Sequence, residues 1–396
     1  MNKEIHILII PSWYPQKSDD IGGSFFREQA LALSRSGYKV GVIVPSMHSL
    51  KDWKNIIFKR YSKYFENDEG VLTYRQQSIN FTPRINKIIK ARQVAIGVKL
   101  FDEYVVCNGV PDIMHVHSLI NAGFVAYKIH QKYGIPYIVT EHSSAFALGL
   151  VNRRTIKKLQ PVVESAAENI AVSYEFKKLL ENIFKAKEWQ YIPNIVNDEF
   201  LESKLSFNNK DEGFNFINIC LLSQNKRIDL LIRAFAKAFK GNLNIKLRLG
   251  GDGPIRISLE KLVESEGISE QVTFLGALER KEVIQEIKKS DAFILSSNYE
   301  TFGVVIIEAL ALGKPVIATR CGGPESIIIP EVGYLVDKNS VEPLAQGMME
   351  LYKKRDKYSA KDIRKYCSNN FSEKAVTNKL TQIYQNILNK PANDSQ

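Results

Sequence analysis

The chain has 396 residues, of which 44% are hydrophobic and 24% charged, a composition that excludes a disordered, collagen-like or small disulfide-bonded protein. This length favours two or three domains, and the four cysteines are too far apart for a C-x-x-C pair, so reduced thiols are expected. Most of the net charge of +11 lies in residues 1–100, which carry 16 Lys and Arg against 8 Asp and Glu, and this imbalance suits an anionic partner such as nucleic acid, a phosphorylated ligand or an acidic membrane.

In the first half of the chain, short apolar runs alternate with longer amphipathic stretches. The first run, at residues 5–10, stops at Pro11. It is too short for a signal peptide or a membrane-spanning helix, so a cytoplasmic location is expected. The alternation predicts strands at 5–10, 39–44, 113–117, 137–141 and 170–173, and helices at 24–36, 121–133, 155–168 and 174–184.

A polar stretch at residues 201–215 interrupts this alternation, and we interpret it as the linker between a domain at 1–200 and a second domain at 216–370. The last helical pattern predicts a C-terminal helix over 371–396 that can pack back on the N-terminal domain, with a frayed tail. The second domain has predicted strands near 216–222, 245–249, 272–275, 292–297 and 315–319, and helices at 228–239, 254–266, 280–289 and 302–312. Two such sets predict an α/β fold of two doubly wound parallel sheets, whose ligands bind at the carboxyl ends of the strands and in the cleft between the domains.

The segment 296–310 carries the most informative motif. A strand ends there and a helix begins around 302–303, so Glu300 and Glu308 flank a helix N-terminus. Free N–H groups and the helix dipole attract phosphate at such a point. A carboxylate beside bound phosphate is suited to accept hydroxyl groups from a ribose or a sugar. The alternative is an ordinary capped helix with surface glutamates.

Two adjacent cations, Lys226 and Arg227, follow the first strand of the second domain and open an amphipathic helix. They are suited to neutralise a diphosphate, although a solvated helix start explains them as well. The glycine-rich turn at 250–254 is a weak phosphate signature, because such turns also occur without a ligand. In the first domain, His115 and His117 lie on one face of a strand. With neither an evident third ligand nor a D-x-D motif, no metal site is expected.

Together, these residues resemble the signature of the retaining glycosyltransferases of family four, which have the GT-B fold. The matching motifs are Glu300-x7-Glu308 with Phe302-Gly303, Gly313-Lys314-Pro315, Gly322-Gly323, Lys226, Gly250-x-Asp-Gly253-Pro254, Gly22-Gly23 and the H-x-H pair. The resemblance extends over nearly the whole chain and is strongest over 216–340. It implies two Rossmann-like domains facing a central cleft. It also implies retaining transfer of a sugar from a nucleotide-sugar donor to a hydroxyl of a glycan or lipid-linked acceptor, in bacterial surface polysaccharide synthesis.

The resemblance also implies roles for individual residues. Lys226 would bind the diphosphate, Glu300 the hydroxyls of the donor sugar and His117 the transferred sugar, so these three form the predicted catalytic set. Glu308 would hold the nucleotide ribose. The other predicted donor contacts are Gly22, Gly23, Ser223, Arg227, Gly253, Phe302, Gly303, Val304 and Val305. The resemblance implies neither a cofactor nor a metal, since the nucleotide-sugar is a co-substrate.

One position departs from the family pattern. The family usually has an arginine where this chain has Leu221, and a glycine where it has Arg227. Either Arg227 replaces the missing charge or the phosphate clamp is weaker.

Two rival interpretations differ in class from a transferase. Another GT-B enzyme, such as a sugar-nucleotide epimerase or a phosphorylase, would share the fold. A basic nucleic-acid-binding protein would explain the charge, but neither half contains a recognised nucleic-acid module, so no nucleic-acid partner is expected.

Two basic stretches stand apart from the alternation. Residues 84–99 carry five cations and no acid, and residues 49–66 place five cations among aromatic side chains: Lys51, Lys54, Lys59, Arg60 and Lys63. This composition is typical of a surface that lies on an anionic membrane, and it predicts peripheral attachment to the inner face of the plasma membrane. A core of aromatic residues with a solvated lysine face is the other interpretation.

Overall fold

The computed structural model describes residues 4–16, 23–49, 63–80, 86–185, 188–206 and 213–389. The chain forms two compact units. Unit 1 comprises Met1–Val172, Lys177–Ile192 and Val376–Gln396, and unit 2 comprises Ser173–Phe176 and Pro193–Ala375. Each unit is an α/β domain built on a mainly parallel sheet, which confirms the predicted pair of Rossmann-like domains.

Strands and helices alternate through unit 1. In chain order its elements are β1 (His6–Pro11), α1 (Ser24–Arg35), β2 (Lys39–Ser49), β3 (Lys63–Asp68), β4 (Val71–Asn80), α2 (Asn86–Asn108), β5 (Ile113–His117), α3 (Phe124–Tyr133), β6 (Tyr137–Glu141), α4 (Arg153–Ser165), β7 (Glu168–Ala171), most of α5 (Tyr174–Phe184) and β8 (Gln190–Tyr191).

The described residues of unit 1 form a sheet in the order β3-β4-β2-β1-β5-β6-β7-β8. The central strands β1, β5 and β6 are buried along their whole length, as expected for parallel strands covered on both faces. The sequence did not predict the hairpin of β3 and β4, in which β3 pairs antiparallel at the sheet edge. Much of the predicted membrane stretch 49–66 lies outside the described residues.

Unit 2 repeats the pattern with shorter connections. In chain order its elements are α6 (Asp198–Glu202), β9 (Phe214–Ile219), α7 (Ile228–Phe239), β10 (Ile245–Gly250), α8 (Arg256–Glu266), β11 (Val272–Gly276), α9 (Arg280–Lys288), β12 (Ala292–Leu295), α10 (Val304–Ala311), β13 (Val316–Thr319), β14 (Gly333–Val336), α11 (Val341–Lys353) and α12 (Ala360–Phe371).

The described strands of unit 2 form a parallel sheet in the order β11-β10-β9-β12-β13-β14. Buried aromatic side chains fill the core on one face, where the rings of Phe216 and Phe239 stack at 5.6 Å. The strand order reverses between β9 and β12. In doubly wound folds, the loops that leave the two strands at such a switch point form the ligand crevice.

The chain enters unit 2 at Pro193, so the predicted linker at 201–215 lies within unit 2 rather than between the units. The reason is that the segment before the predicted linker is already attached to unit 2 by hydrophobic contacts and hydrogen bonds. Phe200 is buried, and the Val196 N–H donates to the Phe371 carbonyl over 2.8 Å. Polarity alone therefore placed the boundary too late, and residues 207–212 of that stretch lie outside the described residues.

A last helix, α13 (Glu373–Leu388), follows α12, and from Val376 onward it belongs to unit 1. Its Tyr384 hydroxyl is 2.7 Å from Nδ1 of His115, and Thr381 accepts a hydrogen bond from the Tyr38 hydroxyl over 2.8 Å. Within the described ranges, no helix combines the length and hydropathy needed to span a bilayer.

Candidate active site

An ion pair lies at the carboxyl end of the unit 2 sheet, at its switch point. Lys226 ends a short 3-10 turn after β9, and Glu300 lies in the loop after β12. The Nζ of Lys226 is 2.5 Å from Oε1 of Glu300, and the Ser297 hydroxyl donates to the same oxygen over 2.6 Å. The two charged side chains are 25% and 14% exposed, so a ligand can still reach them.

The carboxylate sets the charge state of the lysine. Burial alone would lower the pKa of the Lys226 ammonium, but attraction to the Glu300 carboxylate outweighs burial and raises that pKa. Lys226 is therefore a cation at neutral pH. It can stabilise a phosphate, while its partner can accept hydrogen bonds from hydroxyl groups.

Hydrogen bonds between the two loops hold the pair in place. The Asn298 N–H donates to the Asn225 carbonyl over 2.7 Å, and the Asn225 side chain donates to the Tyr299 carbonyl over 2.9 Å. The Ser296 hydroxyl donates to the Lys226 carbonyl over 2.8 Å. The charged groups are thus oriented before any ligand arrives, which is the condition for electrostatic catalysis.

Helix α10 begins just after Glu300. Its N-cap, Gly303, has a left-handed φ of 99° that favours glycine, and no side chain of the described residues caps its first turn at Val304 and Val305. Phe302 is buried and packs against Phe371, so its side chain belongs to the core and anchors the helix start. Glu308 lies half-buried further along α10.

The remaining predicted donor contacts of unit 2 lie around the same edge. The Ser223 carbonyl accepts the Lys226 N–H over 3.0 Å and so closes the turn. A Cβ atom at Gly253 would lie 2.3 Å from the Leu222 carbonyl oxygen. The close approach of these two backbone segments therefore requires glycine at 253 independently of any ligand.

Arg227 has a left-handed backbone, with a φ of 49°, at the start of α7. Its guanidinium forms two bonds to the Asp229 carboxylate, at 3.1 and 3.2 Å, and one to the Asn339 side chain at 3.1 Å. Leu221, where the family has arginine, is 65% exposed. The charge of Arg227 is thus already matched by Asp229.

In unit 1, the imidazoles of His117 and His142 meet beyond the ends of β5 and β6. Nδ1 of His117 is 3.1 Å from Nε2 of His142, so one ring donates and the other accepts. Burial lowers the pKa of His117 to about 3, which keeps this ring neutral. Its Nε2 is buried and has no hydrogen-bond partner among the described residues.

Glu141 is the anchor of this edge, a role that the sequence did not assign. Its carboxylate is fully buried and accepts the N–H groups of Leu119, His142 and Ser143 at 2.7, 2.8 and 2.7 Å. Burial raises its pKa, and these N–H groups oppose the rise. The sequence feature that could have identified Glu141 is its position, because it ends a predicted strand at the same sheet edge as His117.

The loop between β1 and α1 ends at Gly23, which has a left-handed φ of 84°. A Cβ atom there would lie 2.9 Å from the Trp13 ring. Next to it, the rings of Phe26 and Phe25 lie 5.0 and 5.1 Å from those of His117 and His142. The predicted residue Gly22 lies outside the described residues.

Across the described ranges, no cluster of three or more His, Cys, Asp or Glu side chains is arranged to hold a metal ion. Within unit 2 the structure brings together Lys226, Glu300 and the start of α10. Within unit 1 it brings Gly23 and His117 to the same edge.

Two family models match this chain. The model described as Glycosyltransferase Family 4 matches residues 22–200, and the model described as glycosyl transferases group 1 matches residues 200–370. Together they account for most of the sequence. The chain therefore belongs to glycosyltransferase family 4.

Among characterised relatives, the N-acetyl-alpha-D-glucosaminyl L-malate synthase of Bacillus anthracis is 27% identical over 294 residues, covering 71% of this chain and 76% of that protein. Sucrose-phosphate synthase from Thermosynechococcus elongatus superposes with a TM-score of 0.76 at 20% identity, over 96% of this chain and 99% of that one. HepE from Anabaena, which was solved in complex with UDP, superposes with a TM-score of 0.73 at 17% identity, over 96% of this chain and 100% of that one. These structural likenesses establish the GT-B fold.

Proposed function

We propose that this glycosyltransferase uses a nucleoside diphosphate sugar as donor and transfers the sugar with retention of configuration, without a metal. The observation that carries the proposal is the Lys226–Glu300 pair beside the start of α10. A cation and a helix N-terminus favour a diphosphate, and an adjacent carboxylate favours the hydroxyls of a sugar. UDP-sugars are the first donors to test, because HepE was solved with UDP.

In this proposal each residue of unit 2 has a defined task. Lys226 binds the diphosphate together with the N–H groups of Val304 and Val305. Glu300 accepts hydroxyl groups of the donor sugar, and Glu308 those of the ribose. Lys226 leaves its 2.5 Å contact with Glu300 when the diphosphate competes for it, which frees the carboxylate for the sugar.

The chemical step breaks the bond between the anomeric carbon and the phosphate oxygen. The acceptor oxygen bonds to the same face of that carbon, and its proton passes to the departing phosphate oxygen. Lys226 and the first turn of α10 stabilise the charge that develops on the leaving group, in the way a metal ion otherwise does. His117 contributes a neutral Nε2 that can hydrogen-bond a hydroxyl of the transferred sugar.

The acceptor is proposed to be a hydroxyl of a glycan or of a lipid-linked sugar, as in assembly of bacterial surface polysaccharide. A cytoplasmic location, at the inner face of the plasma membrane, would give access to both nucleotide-sugar and lipid-linked acceptor. The excess of cations in residues 1–100 supports placing an anionic partner at the N-terminal side.

A donor panel tests the proposal. The full chain is incubated with UDP-, GDP- and ADP-sugars in the presence of a chelator, with and without lipid-linked acceptors, and nucleoside diphosphate release is measured. We expect release that depends on acceptor, and a product in which NMR shows the donor's anomeric configuration. Inverted product or loss of activity with chelator would contradict the mechanism, and sugar isomerisation without acceptor would indicate an epimerase.

A further inference from the structure

A long acid-free segment of unit 1 carries an exposed cationic helix face. Residues 142–163 contain no aspartate or glutamate. The first turns of α4 present four exposed cations, Arg153, Arg154, Lys157 and Lys158. None of the four has an ion-pair partner among the described residues. Their spacing places them on one side of the helix, opposite its buried residues.

Two large apolar side chains lie just before these cations. Leu148 and Leu150, in the turn between β6 and α4, are 45% and 72% exposed. A solvated surface usually mixes both signs of charge and buries most leucines. The combination of projecting leucines with uncompensated cations is instead typical of a surface that enters a lipid interface.

The start of α2 extends the same surface. Residues 70–101 also lack aspartate and glutamate, and Ile88 is 47% exposed. Lys90 lies over the Phe124 ring at 5.7 Å, and burial together with the nearby Lys158 ammonium lowers its pKa. Lys90 of α2 and Lys158 of α4 are therefore close enough to interact, and the electrostatic potentials of these two cations add.

We propose that this basic face, formed by Leu148, Leu150, the four cations of α4 and Lys90, rests on an anionic bilayer with the two leucines inserted in its interface. The turn with the leucines follows β6, so the bilayer would lie beside the sheet edge that carries His117 and His142. The inference rests on the proposed function, since a transferase with a lipid-linked acceptor needs its active site near the membrane.

Vesicle flotation of the full chain tests this surface. Vesicles of phosphatidylglycerol and phosphatidylcholine are compared with vesicles of phosphatidylcholine alone, at low and high salt. We expect binding only to anionic vesicles and weakening with salt. Each cation near an anionic leaflet strengthens the vesicle-binding constant by about fivefold. Exchange of all four α4 cations for glutamine should therefore weaken binding by about 100-fold or more, and Leu148→Ser with Leu150→Ser should weaken it at every salt concentration.

Matched control variants remove the same charge or the same apolar surface from unit 2. The charge control exchanges four exposed lysines of α11, α12 and their connection for glutamine: Lys353, Lys357, Lys361 and Lys365. The apolar control is Leu243→Ser with Ile257→Ser, which are 52% and 69% exposed. Both controls should bind vesicles like wild type.

Three outcomes would overturn the proposal: equal binding to neutral vesicles, no binding to anionic ones, or equal loss in the control variants. Calorimetric titration of UDP into each variant keeps the two proposals apart. UDP binding reports the unit 2 site and the folded state. Loss of vesicle binding with UDP binding intact therefore identifies the basic face, whereas vesicle binding without any UDP binding would count against the donor site alone.

Discussion

The two units hold their functional groups in opposite ways. In unit 2, Lys226 and Glu300 are both charged, partly exposed and neutralise each other. In unit 1, His117 is buried and neutral, and the Glu141 carboxylate is satisfied by three backbone N–H groups. The unit 2 edge is therefore built on opposite charges, whereas the unit 1 edge is built on buried groups satisfied by hydrogen bonds.

This difference indicates how the two edges can divide one reaction. The Lys226–Glu300 pair is only partly exposed, so a diphosphate can compete with the carboxylate for the ammonium by offering it a second anionic partner. A buried neutral imidazole, by contrast, offers one fixed hydrogen-bonding atom and no charge to screen. In the proposed reaction, unit 2 therefore binds the diphosphate through Lys226 and the sugar hydroxyls through Glu300, and His117 of unit 1 adds a neutral hydrogen-bonding atom.

The largest effect is expected from removing the cation of unit 2. Lys226→Ala should lower kcat by about 10²–10³-fold, because the charge that develops on the leaving phosphate loses its preorganised partner. Steady-state release of nucleoside diphosphate measures this. Lys237→Ala is the matched control, since Lys237 is an exposed lysine paired with Glu342. Turnover near wild type in Lys226→Ala would remove the assigned role.

A pH titration of stability tests the neutral edge of unit 1. Burial holds the pKa values of His115 and His117 below the ordinary 6.5, so the unfolded chain binds protons first as the pH falls. His117 therefore contributes stability above about pH 6.5 that is lost as the pH falls towards 3, at up to about 1.4 kcal/mol per pH unit, and His115 contributes in the same direction.

Urea unfolding at about pH 7.5 and pH 5.5 measures this loss. The raised pKa of Glu141 acts in the opposite direction, so the comparison is between wild type and His117→Gln. The free energy of unfolding of the variant should fall less than that of wild type between the higher and the lower pH. An identical pH dependence would mean that His117 is protonated alike in the folded and unfolded chain.

The two glutamates of unit 2 should separate nucleotide from sugar. Glu308→Gln should weaken binding of free UDP by about tenfold, because a charge-assisted hydrogen bond to the ribose is lost. Glu300→Gln should bind free UDP at least as well as wild type, since Lys226 loses the carboxylate that neutralises it, yet should impair transfer. Calorimetry with UDP decides, and equal losses in both variants would contradict the division of roles.

The smallest effect is expected at Arg227. Its guanidinium is already paired with Asp229, and exposed pairs contribute about 0–1 kcal/mol. Arg227→Gly also removes a left-handed non-glycine residue, which offsets part of that loss. We expect kcat/KM to change by about fivefold or less. A loss as large as that of Lys226→Ala would mean that Arg227 replaces the arginine missing at Leu221.

Periodicity of apolar residues predicted most of the fold, because each buried parallel strand is a short continuous apolar run. Apolar periodicity failed where strand pairing at a sheet edge or contacts between distant parts of the chain determine the structure. The β3–β4 hairpin, with Phe65 60% exposed, lacks a continuous apolar run at the sheet edge. The linker was misplaced because Val196 and Phe200 attach to unit 2 through contacts with distant parts of the chain.

The site was predictable only as far as local motifs reach. The motif around Glu300 predicted a helix start around 302–303, close to the observed first residue, Val304. The phosphate-binding role of that helix start stays a prediction. The contact between Glu300 and Lys226 depends on two loops that meet only once β9 and β12 are neighbours in the sheet. The partner of His115 is Tyr384, 269 residues away, and no spacing rule could have indicated it.

The hydrogen bond between His115 and Tyr384 has a consequence for synthesis of the protein. Residues 1–192 leave the ribosome long before α13, yet the last part of unit 1 begins at Val376. Until α13 is synthesised, the His115 ring in the central strand β5 lacks this partner. The apolar surface against which Leu380 and Ile383 are buried also remains uncovered. Unit 1 therefore completes its folding only after unit 2 has been translated, so the nascent N-terminal half is the stage at which chaperones would find the most exposed apolar surface.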